Sequence, residues 1–346
     1  MSLYSLINIS SLVLKHESTS PDTIGVRQKP PGTPAMQPPS GSTLVLGSAG
    51  FIGSALCAHL ARLGHHVIAF GRSETDGVVG EVTRIRGSIE DRHLLRDALA
   101  RCSTIVHAAS ITTPGVSARD PSLEVLGNLL PLSRLLECAA EFPGRRIVYL
   151  SSGGAIYGDD AQNATESRTL RPRSYYGAGK AAAEAFLHAC VATAGWSAVT
   201  LRPSNLYGPG QKVTKGFAIV PTIFDRAVDA RPFQIWGDGS TLRDYCYIDD
   251  LIEAMTCALF APLEKPFNCY NIASGQTASI LELIEACQIA SGRRIITEFH
   301  PARDVDVACV SPDPQLIVDE LGWKARVDLA SGLKRTWDWH QSLGSL

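Results

Sequence analysis

The chain has 346 residues, enough to bury one large core with a smaller lobe attached. Lys and Arg total 32 against 34 Asp and Glu, a formal charge of -2, so no single-sign field exists to hold a nucleic-acid polymer and a small-molecule partner fits better. The nine cysteines, from Cys57 to Cys309, show no CxxC pair and no zinc-ligand spacing, which argues against a metal centre or a disulfide framework and places the protein in the cytoplasm.

The segment Leu3 to Leu14 is apolar in part, but Ser5, Asn8, Ser10 and Ser11 interrupt it, and it falls short of the roughly 20 residues that span a bilayer. It also lacks a basic leader and a cleavage site, so neither membrane nor secretion is expected. Composition then turns to Pro, Ser, Thr and Gly, and residues 1–41 read as a disordered tail. Met36 stands just before the first strand and is a candidate native start, which N-terminal sequencing of the native protein tests.

Thr43 to Leu46 is a short apolar run; a glycine-rich turn follows, and Ile52, Leu56, Leu60 and Leu63 recur at helical spacing. Further strands are predicted at 66–70, 82–86, 104–108, 146–150 and 198–201, with helices at 92–99, 123–142 and 180–195. Continuous apolar strands alternating with helices make an α/β protein with a parallel sheet covered on both faces, the doubly wound Rossmann arrangement. Beyond Tyr207 the rhythm breaks into Gly-, Pro- and charge-rich stretches around helices at 219–229, 249–260 and 279–290. Residues 42–206 are therefore expected to form the Rossmann domain. Residues 207–346 are expected to form mainly a smaller C-terminal α/β substrate lobe, with part of 243–275 returning to the first domain.

Gly47, Gly50 and Gly53 lie where the first strand meets the first helix. Glycines there allow a tight turn, let backbone approach a pyrophosphate and let helix pack closely on strand, while the N–H groups at Phe51 and Ile52 open a positive helix terminus. The position at the head of a βαβ series points to a dinucleotide. No acidic residue stands about 20 positions on, where a ribose hydroxyl is usually received. Arg72 stands there instead, suited to a 2′-phosphate or merely facing solvent, so the cofactor is NAD or NADP, with Arg72 tilting the choice towards NADP. Ala108 and Ala109, after the fourth strand, let backbone lie close to the cofactor.

Tyr176 and Lys180, in YxxxK spacing, fall on one helix face one turn apart. A phenol is a base near neutrality only if its anion is stabilised. The Lys180 ammonium and a positive nicotinamide would do so, letting tyrosinate take a hydroxyl proton as hydride leaves the carbon. The same spacing also fits a surface tyrosine beside a solvated lysine.

The GxxGxxG turn, the Ser151-Ser152 strand end and YxxxK together resemble the extended short-chain dehydrogenase/reductase family, the NAD-dependent epimerase/dehydratase proteins of UDP-glucose 4-epimerase type. Leu201-Arg-Pro-Ser-Asn205-Leu-Tyr-Gly-Pro-Gly-Gln211 resembles its LRxxNxYGPGQ string, and 236–245, 301–306, 270–275 and 321–323 add matches, so the likeness spans about residues 43–340. The resemblance implies that Asn205 contacts a sugar diphosphate and that Ser88 and Ile89 read the adenine, although Asp is commoner than Ser88. Arg243 and Arg303 are bidentate donors suited to the diphosphate, or surface partners of Asp244 and Asp306. Asn128 matches the Asn of the family's catalytic tetrad, or is an exposed helix residue.

One departure stands out: the family's catalytic Ser/Thr falls on Gly153, and Ser152 is taken as its substitute. Gly154-Ala155 replaces the Asp-Glu pair of sugar 4,6-dehydratases and the Glu of nucleotide-sugar decarboxylases, leaving epimerisation or reduction. The resemblance thus implies 4-epimerisation of a nucleotide-diphosphate sugar. Its rivals are an NADPH-dependent reductase of a keto-sugar or other carbonyl, and a dinucleotide-sensing protein on a retired scaffold. A homodimer through the helices at 123–142 and 180–195 is also implied, with Leu126, Leu130 and Phe186 as contacts unless they belong to the core.

Overall fold

The structure is a computed structural model that describes residues 41–73, 80–118, 120–213, 218–302 and 307–343. The expected tail, apart from Gly41, lies outside the described residues, as do Arg303 and Asp306. The chain runs β1 (Ser42–Leu46), α1 (Phe51–Arg62), β2 (His66–Gly71), β3 (Val82–Arg86), α2 (Arg92–Ala100), β4 (Thr104–His107), α3 (Pro114–Ser117) and α4 (Pro121–Glu124). After a π-helical turn, Val125–Leu129, come α5 (Leu130–Glu137), β5 (Arg146–Leu150), α6 (Gly153–Ile156), β6 (Gln162–Ala164), α7 (Tyr175–Ala194), β7 (Ser197–Pro203) and β8 (Asn205–Tyr207). The remainder is α8 (Ile219–Asp229), β9 (Phe233–Trp236), β10 (Leu242–Tyr247), α9 (Ile248–Phe260), β11 (Phe267–Ile272), β12 (Thr277–Ser279), α10 (Ile280–Ser291), β13 (Thr297–His300), β14 (Cys309–Pro312), α11 (Gln315–Leu321) and α12 (Leu329–Leu343).

Among the described residues, β11-β7-β5-β4-β1-β2-β3 form one seven-stranded sheet, parallel throughout. Side chains alternate along a strand, and β1 is apolar on both faces because both are covered. Val45 packs with Leu56 and Leu60 of α1 and Met255 of α9, whereas Leu44 and Leu46 pack with Leu95 and Leu99 of α2 and Leu187 of α7. Strand order reverses between β1 and β4, which opens a crevice beyond their carboxyl ends. The late strand β11 adds to this sheet beside β7, so the chain returns to it after building β12-β10-β14-β6, β8 beside β10, and the β13-β9 pair.

Two helices differ from expectation. Ser174 caps α7 by accepting from Gly177 N at 3.1 Å, so this helix starts at Tyr175 rather than at Lys180 and carries both residues of the pair. The single helix expected over 123–142 is α4, a π turn and α5 instead. Pro131 has no N–H for the carbonyl one turn back, and Leu130 N reaches Val125 O in a wider turn. No helix among the described residues is long and apolar enough to cross a membrane.

Candidate active site

Gly47 leaves β1 with φ +86°, and a Cβ there would sit 2.7 Å from Ala109 N. Only glycine lets the turn lie against the end of β4. A side chain on Gly53 would collide with the Gly47 carbonyl, which is how α1 packs close on the turn. Gly50 precedes α1 with no side-chain cap, so Phe51 and Ile52 open a helix terminus whose N–H groups and dipole suit an anion. A cavity of about 430 Å³ lies there, lined among others by Gly47, Gly50, Arg72, Ser88, Ile89, Ala108, Ala109 and Asn128. His107 lines it too: buried, with neither ring nitrogen bonded among the described residues. Burial, with the Lys180 charge nearby, lowers this imidazole from 6.5 to about 4, so it is a neutral hydrogen-bonding group. The glycine turn, the bare helix end and an unpartnered polar group in one crevice fit a nicotinamide dinucleotide.

Lys180 is 5% exposed, and its Nζ donates to Leu150 O at 2.7 Å and lies 4.9 Å from the Tyr149 ring centroid and 5.6 Å from that of Tyr176. Burial lowers it to about 8, against the pull of Glu124 and Glu184. Tyr176 is half-buried, which excludes the reading of the pair as a surface tyrosine and a solvated lysine. Burial pushes its phenol up to about 12; a hydrogen bond with Ser152 lowers it and Glu124 raises it. In the protein alone, burial and the Glu124 charge favour the neutral phenol, so the expected phenolate depends on the positive nicotinamide as well as on Lys180.

The Gly153 departure has a steric reason. A Cβ there would lie 2.7 Å from the Arg202 carbonyl and 2.9 Å from Pro312 Cγ, leaving no room for Ser or Thr. Ser152 starts α6 without capping it, so its hydroxyl is not spent on the helix end. A Cβ on Gly154 would be 3.9 Å from both Ser152 Oγ and Asn205 Oδ1, so those two side chains converge.

Asn205 Nδ2 donates to Asp244 O at 2.9 Å, tying β8 to β10, and the half-buried Arg243 donates to Leu242 O at 2.8 Å. The Asp244 carboxylate is buried and takes donors from Ser204 Oγ, Ser274 N, Ser274 Oγ and Gly275 N, which removes it from the surface pairing entertained for Arg243. Arg303 lies outside the described residues. Asn128 is half-buried rather than exposed: Nδ2 donates to Thr112 Oγ1 at 2.6 Å and Glu124 Oε1 at 2.9 Å, and Oδ1 accepts from Ile111 N at 3.1 Å.

Sequence reasoning missed Glu124 and Thr112, whose only local signal was a carboxylate four residues ahead of Asn128 on a helical stretch. It also missed the buried Arg202–Glu184 pair, in which Nη2 and Nε donate at 2.5 and 3.0 Å while Nη1 donates to Tyr157 Oη at 2.9 Å. That pair braces α7 against β7 and the loop carrying Ser152.

The family model for the NAD dependent epimerase/dehydratase family matches residues 43–273. A UDP-glucose 4-epimerase of Mycolicibacterium smegmatis is 33% identical over 306 residues, which is 85% of this chain and 96% of that protein. A dTDP-4-dehydro-6-deoxyglucose reductase of Escherichia coli is 25% identical over 302 residues, 84% of this chain and 95% of that protein. The crystal structure of the Thermus thermophilus UDP-glucose 4-epimerase in complex with NAD matches with a TM-score of 0.80 at 29% identity, covering 87% of this chain and 99% of that one.

Proposed function

The chain belongs to the NAD-dependent epimerase/dehydratase family as an enzyme of the extended short-chain dehydrogenase type, and we propose that it is a 4-epimerase of a nucleotide-diphosphate sugar, with UDP-glucose the first substrate to test. The observation that carries this is the Tyr176 ring set 5.6 Å from the Nζ of the buried Lys180, on the face of α7 that Ser152 adjoins. Its cofactor is a nicotinamide dinucleotide, which when bound supplies a reversible hydride acceptor at the sugar carbon.

Tyr176 takes the proton of the sugar 4-hydroxyl and later returns it, with Ser152 sharing the hydrogen bond and Lys180 holding the local charge. The turn at Gly47, Gly50 and Gly53 and the N–H groups at Phe51 and Ile52 hold the pyrophosphate. Ser88 and Ile89 border the adenine, and Ala108 and Ala109 let the cofactor lie against β4. Asn205, Arg243 and Arg303 hold the substrate diphosphate. Gly154 and Ala155 place no carboxylate beside the sugar, so no group there can protonate and expel a hydroxyl.

A keto-sugar reductase using NADPH is the second reading, favoured by Arg72 at the cavity and by the Escherichia coli relative. Cofactor stoichiometry separates them: an epimerase converts many equivalents of sugar with no net oxidation, whereas a reductase consumes one NADPH per product. A dinucleotide sensor would have no use for an intact Tyr176–Lys180 pair. The unpaired cysteines among the described residues favour a reducing compartment, the cytoplasm. Leu126 and Phe186, 60% and 50% exposed, favour a homodimer, which light scattering tests.

A further inference from the structure

Glu124 is a buried carboxylate that the reaction above does not use. It is 3% exposed; its Oε2 accepts from Thr112 Oγ1 at 2.5 Å and its Oε1 from Asn128 Nδ2 at 2.9 Å. Thr112 Oγ1 in turn accepts from Asn128 at 2.6 Å, so loop, α4 and π turn close around the carboxylate from one side. The other side is α7, where a Cβ on Gly179 would fall on Oε1. The glycine just before Lys180 is therefore the gap that the carboxylate fills.

Two neutral donors do not offset the burial of a carboxylate; a cation must face it. Lys180 feels Glu124 and Glu184, but Glu184 already receives two hydrogen bonds from Arg202 of β7. The other titratable groups facing this corner are neutral near pH 7: His107 of β4, held down to about 4, Tyr149 of β5, raised by burial, and Tyr176 itself. Among the described residues, Glu124 is thus the carboxylate left without a cation of its own in this corner, and its charge favours the Lys180 ammonium while opposing a phenolate at Tyr176.

We propose that Glu124 is a positioning residue for the Tyr176–Lys180 pair, a carboxylate that fixes Asn128 and Thr112, balances Lys180 and keeps Tyr176 protonated until a positively charged ring is docked beside it. This rests on the reading of Tyr176 as the base. It also makes base formation conditional on a loaded cofactor site, because the added positive charge tips a balance that Glu124 sets.

The test is an ultraviolet difference titration of tyrosinate in the full chain, with and without saturating NAD, using Tyr176→Phe as the blank. Glu124→Gln keeps the size and an acceptor for Asn128 Nδ2, while its amide nitrogen must donate to Thr112 Oγ1 where the carboxylate accepted, and Tyr176 should then ionise lower by on the order of 1–2 pH units. The ascending limb of kcat against pH should move the same way, with KM little changed. If Glu124→Gln fails to fold, Glu124→Asp, which draws the charge back by one methylene, should give a smaller shift in the same direction. Coincident titration curves, or a shift to higher pH, would overturn the proposal, since a merely structural residue alters melting or rate without moving this titration. The optical signal needs no turnover. A shifted titration in a protein that leaves nucleotide sugars untouched supports the role of Glu124 and counts against the epimerase reading; normal turnover with an unmoved titration does the reverse.

Discussion

At the crevice between β1 and β4, shape comes from side chains that are missing. Gly47 and Gly53 bring turn, strand and helix into contact that a single Cβ would prevent. At the corner around Tyr176, shape comes from buried polar groups that hold one another: Glu124 with Thr112 and Asn128, Arg202 with Glu184 and Tyr157, Lys180 with Leu150 O. The first is a steric device written in seven consecutive residues. The second is an electrostatic device assembled from β4 to β7, and it fails by leaving a charge without its partner.

The comparison predicts different kinds of damage. Gly47→Val should strike hardest at the crevice: φ +86° strains any β-branched residue, and the Cβ meets Ala109. Dinucleotide affinity, read by calorimetry, should fall by about 100-fold or more, the fold-change of roughly 2.7 kcal/mol. Near-normal affinity would show that missing side chains do not shape the site. Arg202→Met should cost about 3–5 kcal/mol in denaturant unfolding, because Glu184 is left buried and unpaired. Adding Glu184→Leu should recover part of the loss, and no recovery would deny the electrostatic account of this corner.

His107 carries the corner's pH signature. The unfolded chain takes up a proton near 6.5 that the native imidazole refuses until about 4, so its share of stability is intact above that window and is lost as pH falls through it. His107→Gln should flatten this fall by on the order of 2–3 kcal/mol. Equal acid sensitivity of parent and variant would mean that the ring finds a partner. The smallest expected effect belongs to Ser152→Ala: kcat down by about 10- to 100-fold with dinucleotide affinity unchanged. An unchanged kcat would mean that Tyr176 works without the hydroxyl that Gly153 cannot supply.

The contrast also explains what was legible in the sequence. The sheet was readable because β1, β2 and β5 are continuous apolar runs between glycines, and β4 another such run ending in small residues, a local pattern with one meaning. The Gly47–Gly53 turn and the Tyr176–Lys180 spacing were readable for the same reason. The break at Pro131 was in plain view, yet helical periodicity carried the expectation through it to Phe142. Gly153 was flagged as a departure, but that Arg202 O and Pro312 close the space depends on contacts some 50 and 160 residues away along the chain. Glu124 was unreadable in principle: a lone acidic residue on a helical stretch is ordinarily solvated, and only the fold sets it against Gly179 and Lys180.

The most direct test of the account is conversion of UDP-glucose at NAD concentrations far below the sugar, comparing the parent protein with Tyr176→Phe. The account predicts that the parent accumulates the 4-epimer without net reduction of NAD, and that Tyr176→Phe turns over about 100- to 10,000-fold more slowly while binding the dinucleotide within a few-fold. Undiminished turnover by Tyr176→Phe would contradict it.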